Sequence, residues 1–370
     1  MLRLLSTLLL IGYINLSAAQ DYTKYHQAII KAEEQIFVKQ QFDDGLKTYS
    51  VLFKEYDFVF VHDCVMAMQI ALHTNNEKRL LEFTTKAMLN GLAPKHLESP
   101  LMKYFQQHAL YIKHKDSIAR IFKANRQHYL QRIDTGALIA MMQLFCNDQL
   151  EKNPARGESI MTHNKRYRPQ IMVTTDALRK LIAEKGYPSD KLIGIDQQDL
   201  LHELKTGRMD PFDYYKKYKD EPQHNIGEGQ FDLDEYHLAS SIVLPVIVHY
   251  AYMIKGNADR KRCLLYADDF YLQQIKLGNL HPKDFALMYD WGMKGDGTQK
   301  LVPDFNKDEK FFDVGIKPGD AQRQVAISDA DVNRFRRMFY IAPIENDRAK
   351  IAFIRANKMY IGWGWWAGRS

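Results

Sequence analysis

Cysteine is scarce in this 370-residue chain: three residues, Cys64, Cys146 and Cys263, stand far apart, and an odd count excludes a fully paired set. A disulfide framework is therefore not expected, and the apolar neighbours of Cys64 and Cys146 predict buried thiols. No Cys-x-x-Cys, His-Glu-x-x-His or Gly-x-Ser-x-Gly occurs, so the common zinc and serine chemistries have no motif here. No apolar run reaches the roughly 20 residues of a membrane-spanning helix, so no membrane span is expected. The formal charge of +6 is thinly spread over a chain with 45 acidic residues, and no wide basic stripe marks a nucleic-acid surface. Short basic clusters, Lys216 to Lys219 and Arg334 to Arg337, read as exposed helix or loop charges. Beyond residue 19 there is no Asn-x-Ser/Thr acceptor, which suits a bacterial periplasm.

Two further motifs fail on inspection. The run Gly292 to Thr298 lacks the lysine that a phosphate-binding loop needs after its final glycine, and no strand precedes it. Asp304-x-Asn306-x-Asp308 opens like a calcium loop, but Glu309 occupies the turn-glycine position and Gly315 that of the bidentate acid. Asp329-x-Asp331-x-Asn333 fails likewise and fits a helix start after Ser328. No cofactor or metal is therefore expected.

What is present begins with Arg3, an apolar run from Leu4 to Ile14, and small residues Ser17-Ala18-Ala19. This pattern predicts a signal peptide over 1–19 and a periplasmic or secreted mature protein. A mature chain of this size suits two domains. Apolar residues at helical spacing predict a mainly α fold, with helical hairpins over 20–135, a second helical domain over 136–350 and an aromatic tail over 351–370 around Trp363-Gly364-Trp365-Trp366.

In the hairpin region, Ile29, Ile30, Ala32, Ile36 and Phe37 form one stripe, and Phe42, Leu46, Tyr49, Leu52 and Phe53 the next. The segment Phe42 to Tyr49, with Gly45 between its aromatics, resembles the second helix of a tetratricopeptide repeat, where a small residue admits the paired helix. Helices are expected at Phe58 to His73 and Glu77 to Asn90, with more from Glu98 to Asn153. The polar run Glu158 to Gln170 reads as a connection, followed by a helix capped by Thr174 or Thr175 and stopped by Gly186-Tyr187-Pro188. Residues 207–231 read as a polar surface insertion, and Leu238 to Ile254 as a buried helix containing Pro245 and His249. Histidines 224, 237 and 249 with Asp232, Asp234 and Glu235 match no ligand spacing.

Asp148-Gln149, Gly186-Tyr187-Pro188, Gly194, His249, Tyr289-Asp290, Gly297-Thr298-Gln299 and Asp331-Val332-Asn333-Arg334 occur in an order that resembles an uncharacterised family of bacterial exported proteins, a domain of unknown function. The resemblance covers about Met141 to Arg348. It departs at Lys152, Val248 and Trp291, where the pattern usually carries Arg, Gln and Arg. It implies a helical domain with a shared polar residue set and no established activity.

Two functions follow as expectations. The first is a protein- or peptide-interaction module built on the hairpins, with a protein or peptide partner. The alternative is an enzyme or small-ligand site formed by Asp148, Gln149, His249, Asp290 and Gln299, residues that supply carboxylates, an imidazole and orienting amides. Short-range capping by these residues is the structural counter-reading.

Overall fold

A computed structural model describes residues 20–152, 158–206, 238–253, 263–294 and 328–359. Every regular element among them is a helix, as the sequence predicts. In chain order they are α1 (Thr23–Glu33), α2 (Phe42–Glu55), α3 (Val61–His73), α4 (Glu77–Leu89), α5 (Pro94–Leu97), α6 (Lys103–Gln107), α7 (Ala109–Gln131) and α8 (Thr135–Glu151). These are followed by α9 (Ile160–Lys185), α10 (Asp190–Ile193), α11 (Gln197–Glu203), α12 (Ser240–Tyr252), α13 (Asp268–Lys276), α14 (Pro282–Lys294), α15 (Asp329–Met338) and α16 (Ile344–Ala356). The signal-like segment, the 207–231 insertion, Gln299, the failed calcium loop, Lys216 to Lys219, His224 and His237 with their neighbouring acids, and the tryptophan-rich tail lie outside the described residues.

Two apolar clusters organise the chain. The first takes the stripes of α1 to α7, including Tyr25, Ile29, Leu46, Tyr49 and Phe83, together with Ile354 and Met359 from the far end of the chain. The second gathers α8, α9, α12, α13 and α14. A π-helical turn, Glu34–Val38, extends α1 and carries Phe37 against Phe353 of α16, with ring centroids 5.5 Å apart. A Cβ added to Gly45 of α2 would lie 2.3 Å from Cγ1 of Ile36, so only glycine permits this approach of the first hairpin. Helix α3 is enclosed on all sides, with twelve consecutive residues, Val61 to Leu72, buried.

The capping logic mostly follows the sequence. Asn76 accepts from the Arg79 N–H at 3.1 Å, Asp134 from Ala137 at 2.9 Å, and Ser328 from Asp331 at 3.1 Å, so the Asp329 to Asn333 segment starts a helix as expected. One boundary differs. The connection expected at Glu158 to Gln170 is largely helix: α9 begins after Ser159, whose hydroxyl accepts from the Thr162 N–H at 3.2 Å, and runs through Pro169 to Lys185. Thr174 lies inside that helix and donates to the Gln170 carbonyl at 3.1 Å rather than capping it. Burial of His163, Tyr167 and Ile171 along one face holds the helix together despite the proline. All three cysteines are buried thiols. Among the described residues no helix is long and apolar enough to cross a membrane.

The two clusters meet along the first helix. The Tyr22 N–H donates to the Lys276 carbonyl at 2.8 Å, and His26 Nε2 lies 3.1 Å from the Ile275 carbonyl. Gly278, at φ 68°, leaves room for the Tyr22 ring, which a Cβ there would meet at 2.6 Å. A buried ion network adds to the junction. Lys350 pairs with Glu33, Lys283 with Asp347 at 2.8 Å and Glu33 at 3.8 Å, and Arg336 with Asp347. Arg336 is therefore wholly buried, although the basic run Arg334 to Arg337 reads in sequence as an exposed face. Its helix turns this one guanidinium inward to an acid eleven residues later.

Candidate functional site

Three of the five candidate residues converge. Asp148 and Gln149 sit near the end of α8, and His249 near the end of α12, two helices that pack together with α9. His249 Nδ1 lies 2.7 Å from Asp148 Oδ2, Gln149 Nε2 donates to the same oxygen at 2.9 Å, and Tyr167 Oη of α9 donates to Asp148 Oδ1 at 2.6 Å. Asp148 is fully buried, whereas the His249 side chain is 14% exposed. The carboxylate is thus held in the core by side-chain donors, as a buried charge requires. With Nδ1 donating to Asp148, Nε2 is the imidazole's acceptor atom. Burial, with the Asp148 charge beside it, pushes the Tyr167 hydroxyl well above its ordinary pKa, so it remains a donor.

Asp290 is buried on α14, which packs against α12, the helix of His249. Tyr167 is the member that sequence reading misses, because it lies in the polar run taken for a connection. His163, one turn earlier, stacks on it with centroids 5.4 Å apart.

A second polar cluster lies at the junction of the two apolar clusters. His62 and Asp63 occupy the first turn of α3, and His281 precedes Pro282 at the start of α14. His62 Nε2 lies 3.0 Å from His281 Nε2 and 3.2 Å from Asp63 Oδ1, and His281 Nε2 lies 3.7 Å from that same oxygen. Tyr25 donates to the other oxygen, Oδ2, at 2.7 Å. All four side chains are buried. His26, Glu33, Lys350 and Tyr340 help to line a cavity of about 20 Å³ beside them, the volume of a single water.

The electrostatics of this cluster are uneven. Burial lowers the His62 pKa, but the adjoining Asp63 carboxylate more than offsets it and the net shift is upward. Burial raises Asp63, and His62 together with the Tyr25 hydroxyl outweighs it, leaving the carboxyl below its ordinary range. His281 is driven well below the usual imidazole value by burial and by its histidine neighbours, and burial takes His26 down to about 4.

His62 and Asp63 stand in the sequence beside Cys64, inside an apolar run, and His281 comes 219 positions after His62. Adjacent ligand-type residues on one helix match no common spacing rule, so their only signal is two polar residues in a helix with no exposed face. No family model, no curated protein and no solved structure matches this chain.

Proposed function

We propose that this is an exported enzyme or small-ligand-binding protein that acts through the Asp148–His249 pair, with His249 as the proton-transferring group. The observation that carries the reading is the 2.7 Å contact between His249 Nδ1 and a fully buried carboxylate that also accepts from Tyr167 and Gln149. Asp148 orients the imidazole and stabilises its cation once Nε2 has taken a proton, the role an acid plays behind a general base. Gln149 and Tyr167 fix the carboxylate so that a single rotamer of His249 is favoured. The chemistry this supports is hydrolysis or group transfer on a small polar substrate. Export through residues 1–19 and membership of a bacterial exported family are part of the same proposal.

An interaction module is the other reading of the chain. Its groove would lie between paired helices, and enclosure of α3 over Val61 to Leu72 removes that helix as a docking face. This is why the polar pair leads.

The test is the reactivity of His249 toward diethyl pyrocarbonate, followed by peptide mass spectrometry, alongside thermal-shift screening of polar metabolites. Asp148→Asn should slow carbethoxylation of His249 several-fold, and His249→Gln should abolish the response to any stabilising compound while keeping the native helical circular dichroism. An unchanged modification rate in Asp148→Asn, or His249→Gln unfolding with no compound bound by the native protein, would overturn the proposal.

A further inference from the structure

We infer that His62, Asp63 and His281 form a binding site for one divalent transition-metal ion of the zinc class. Three potential ligand atoms, two imidazole Nε2 and one carboxylate Oδ1, converge within 4.8 Å of one another, all buried. Their separations are 3.0, 3.2 and 3.7 Å. A tetrahedron with the 2.0–2.1 Å bonds that zinc makes to nitrogen and oxygen has edges of about 3.3 Å, which these three distances straddle. A point equidistant from the three atoms lies about 1.9 Å from each, and raising it about 0.7 Å out of their plane brings all three bonds to zinc length. The three side chains thus have the size of one face of a zinc tetrahedron, with the fourth vertex left for a water. The cavity beside them has room for one.

The surroundings suit a cation. Tyr25 occupies Asp63 Oδ2, which leaves Oδ1 directed at the two imidazoles and fixes the carboxylate, the part an outer hydrogen bond plays for a metal-bound acid. Two imidazoles and one carboxylate make a donor set of intermediate softness, matched to zinc, cobalt or iron(II) rather than calcium or magnesium. Without an ion, the two imidazole Nε2 atoms and Asp63 Oδ1 must share protons at these distances. Ligation also makes a specific demand on His281. Its Nδ1 now accepts from the Lys283 N–H at 3.2 Å, and binding through Nε2 moves the ring proton to Nδ1, so that contact is exchanged for the metal bond.

The site shares no residue with the Asp148–His249 pair and does not depend on it. The experiment uses the untagged mature protein, stripped with a chelator and titrated with Co²⁺, then with Zn²⁺ in competition. One equivalent of Co²⁺ should give the intense visible bands of a tetrahedral nitrogen–oxygen site, and Zn²⁺ should displace them. His281→Gln and Asp63→Asn should each weaken Zn²⁺ binding at least tenfold, whereas His249→Gln should leave it unchanged. Hydrogen exchange at the Lys283 amide should quicken on metal binding. Absence of tetrahedral Co²⁺ bands in the native protein overturns the inference, and so does binding that His281→Gln leaves intact. The native titration decides alone should the variants fail to fold.

Discussion

Asp190 offers a direct test of how this core handles charge. It lies in the first turn of α10, only 8% exposed, and accepts the Ala239 backbone N–H at 2.6 Å. Burial raises its pKa from 3.8 to about 7; the Ala239 N–H and His62 oppose this, and the nearby Asp284 reinforces it. Below about pH 4 both folded and unfolded chains hold the proton, and the group does not affect stability. Between about 4 and 7 the unfolded chain releases it while the folded chain keeps it, so stability falls as pH rises. Above about 7 the full loss is present, roughly 3 pH units or about 4 kcal/mol. Asp190→Asn keeps the oxygen that accepts from Ala239 and removes the charge. Its melting temperature should match that of the native protein near pH 4 and exceed it by roughly 5 °C at pH 8, from about 2 cal/mol/K of unfolding entropy per residue. Asp284, raised to about 6 mainly by burial, titrates in both proteins and largely cancels in the difference. Calorimetry across pH 4–8 reads the result. A difference that is flat with pH, or an Asn variant less stable at pH 8, would refute the argument, because it would mean that Asp190 stays ionised and compensated in the fold.

Two other substitutions probe packing and the buried ion network. Gly45→Val should destabilise the protein by about 1–3 kcal/mol in urea unfolding, since the new side chain meets Ile36 and the Ala32 carbonyl. Lys350→Met alone should cost about 3–5 kcal/mol by leaving buried Glu33 with only the more distant Lys283, whereas Glu33→Gln with Lys350→Met should recover much of that loss; a double-mutant cycle by denaturant melts checks both.

The candidate site was partly legible because Asp148, Gln149 and His249 interrupt apolar helices, and a polar residue in such a setting must find a partner. That the partner of His249 is Asp148, 101 positions away, follows from the packing of α8 on α12, which no local pattern encodes. Tyr167 was hidden because Arg, Lys and Pro around it weaken the helical signal, although its own face is buried. His62 and Asp63 were hidden differently: their neighbours mark a core helix, and only the approach of the start of α14 to the first turn of α3 makes them a cluster with His281. Arg336 shows the limit of reading charge from sequence, since one residue of a basic run is turned inward by a single acid, Asp347. The helical class itself needed none of these long-range contacts, because stripe spacing and capping residues specify it locally.

The bonds from Tyr22 to Lys276, from His26 to Ile275 and from Glu33 to Lys350 have a consequence for how the molecule is made. The earliest described helix completes its surroundings only with residues that leave the ribosome some 250 to 317 positions later. The first hairpins are thus deprived of their final partners during most of synthesis, and contacts of such long separation form slowly. A polypeptide whose first helix cannot close early keeps apolar surface open until its last helices have been made, so its folding yield depends on how completely and how fast the far end follows.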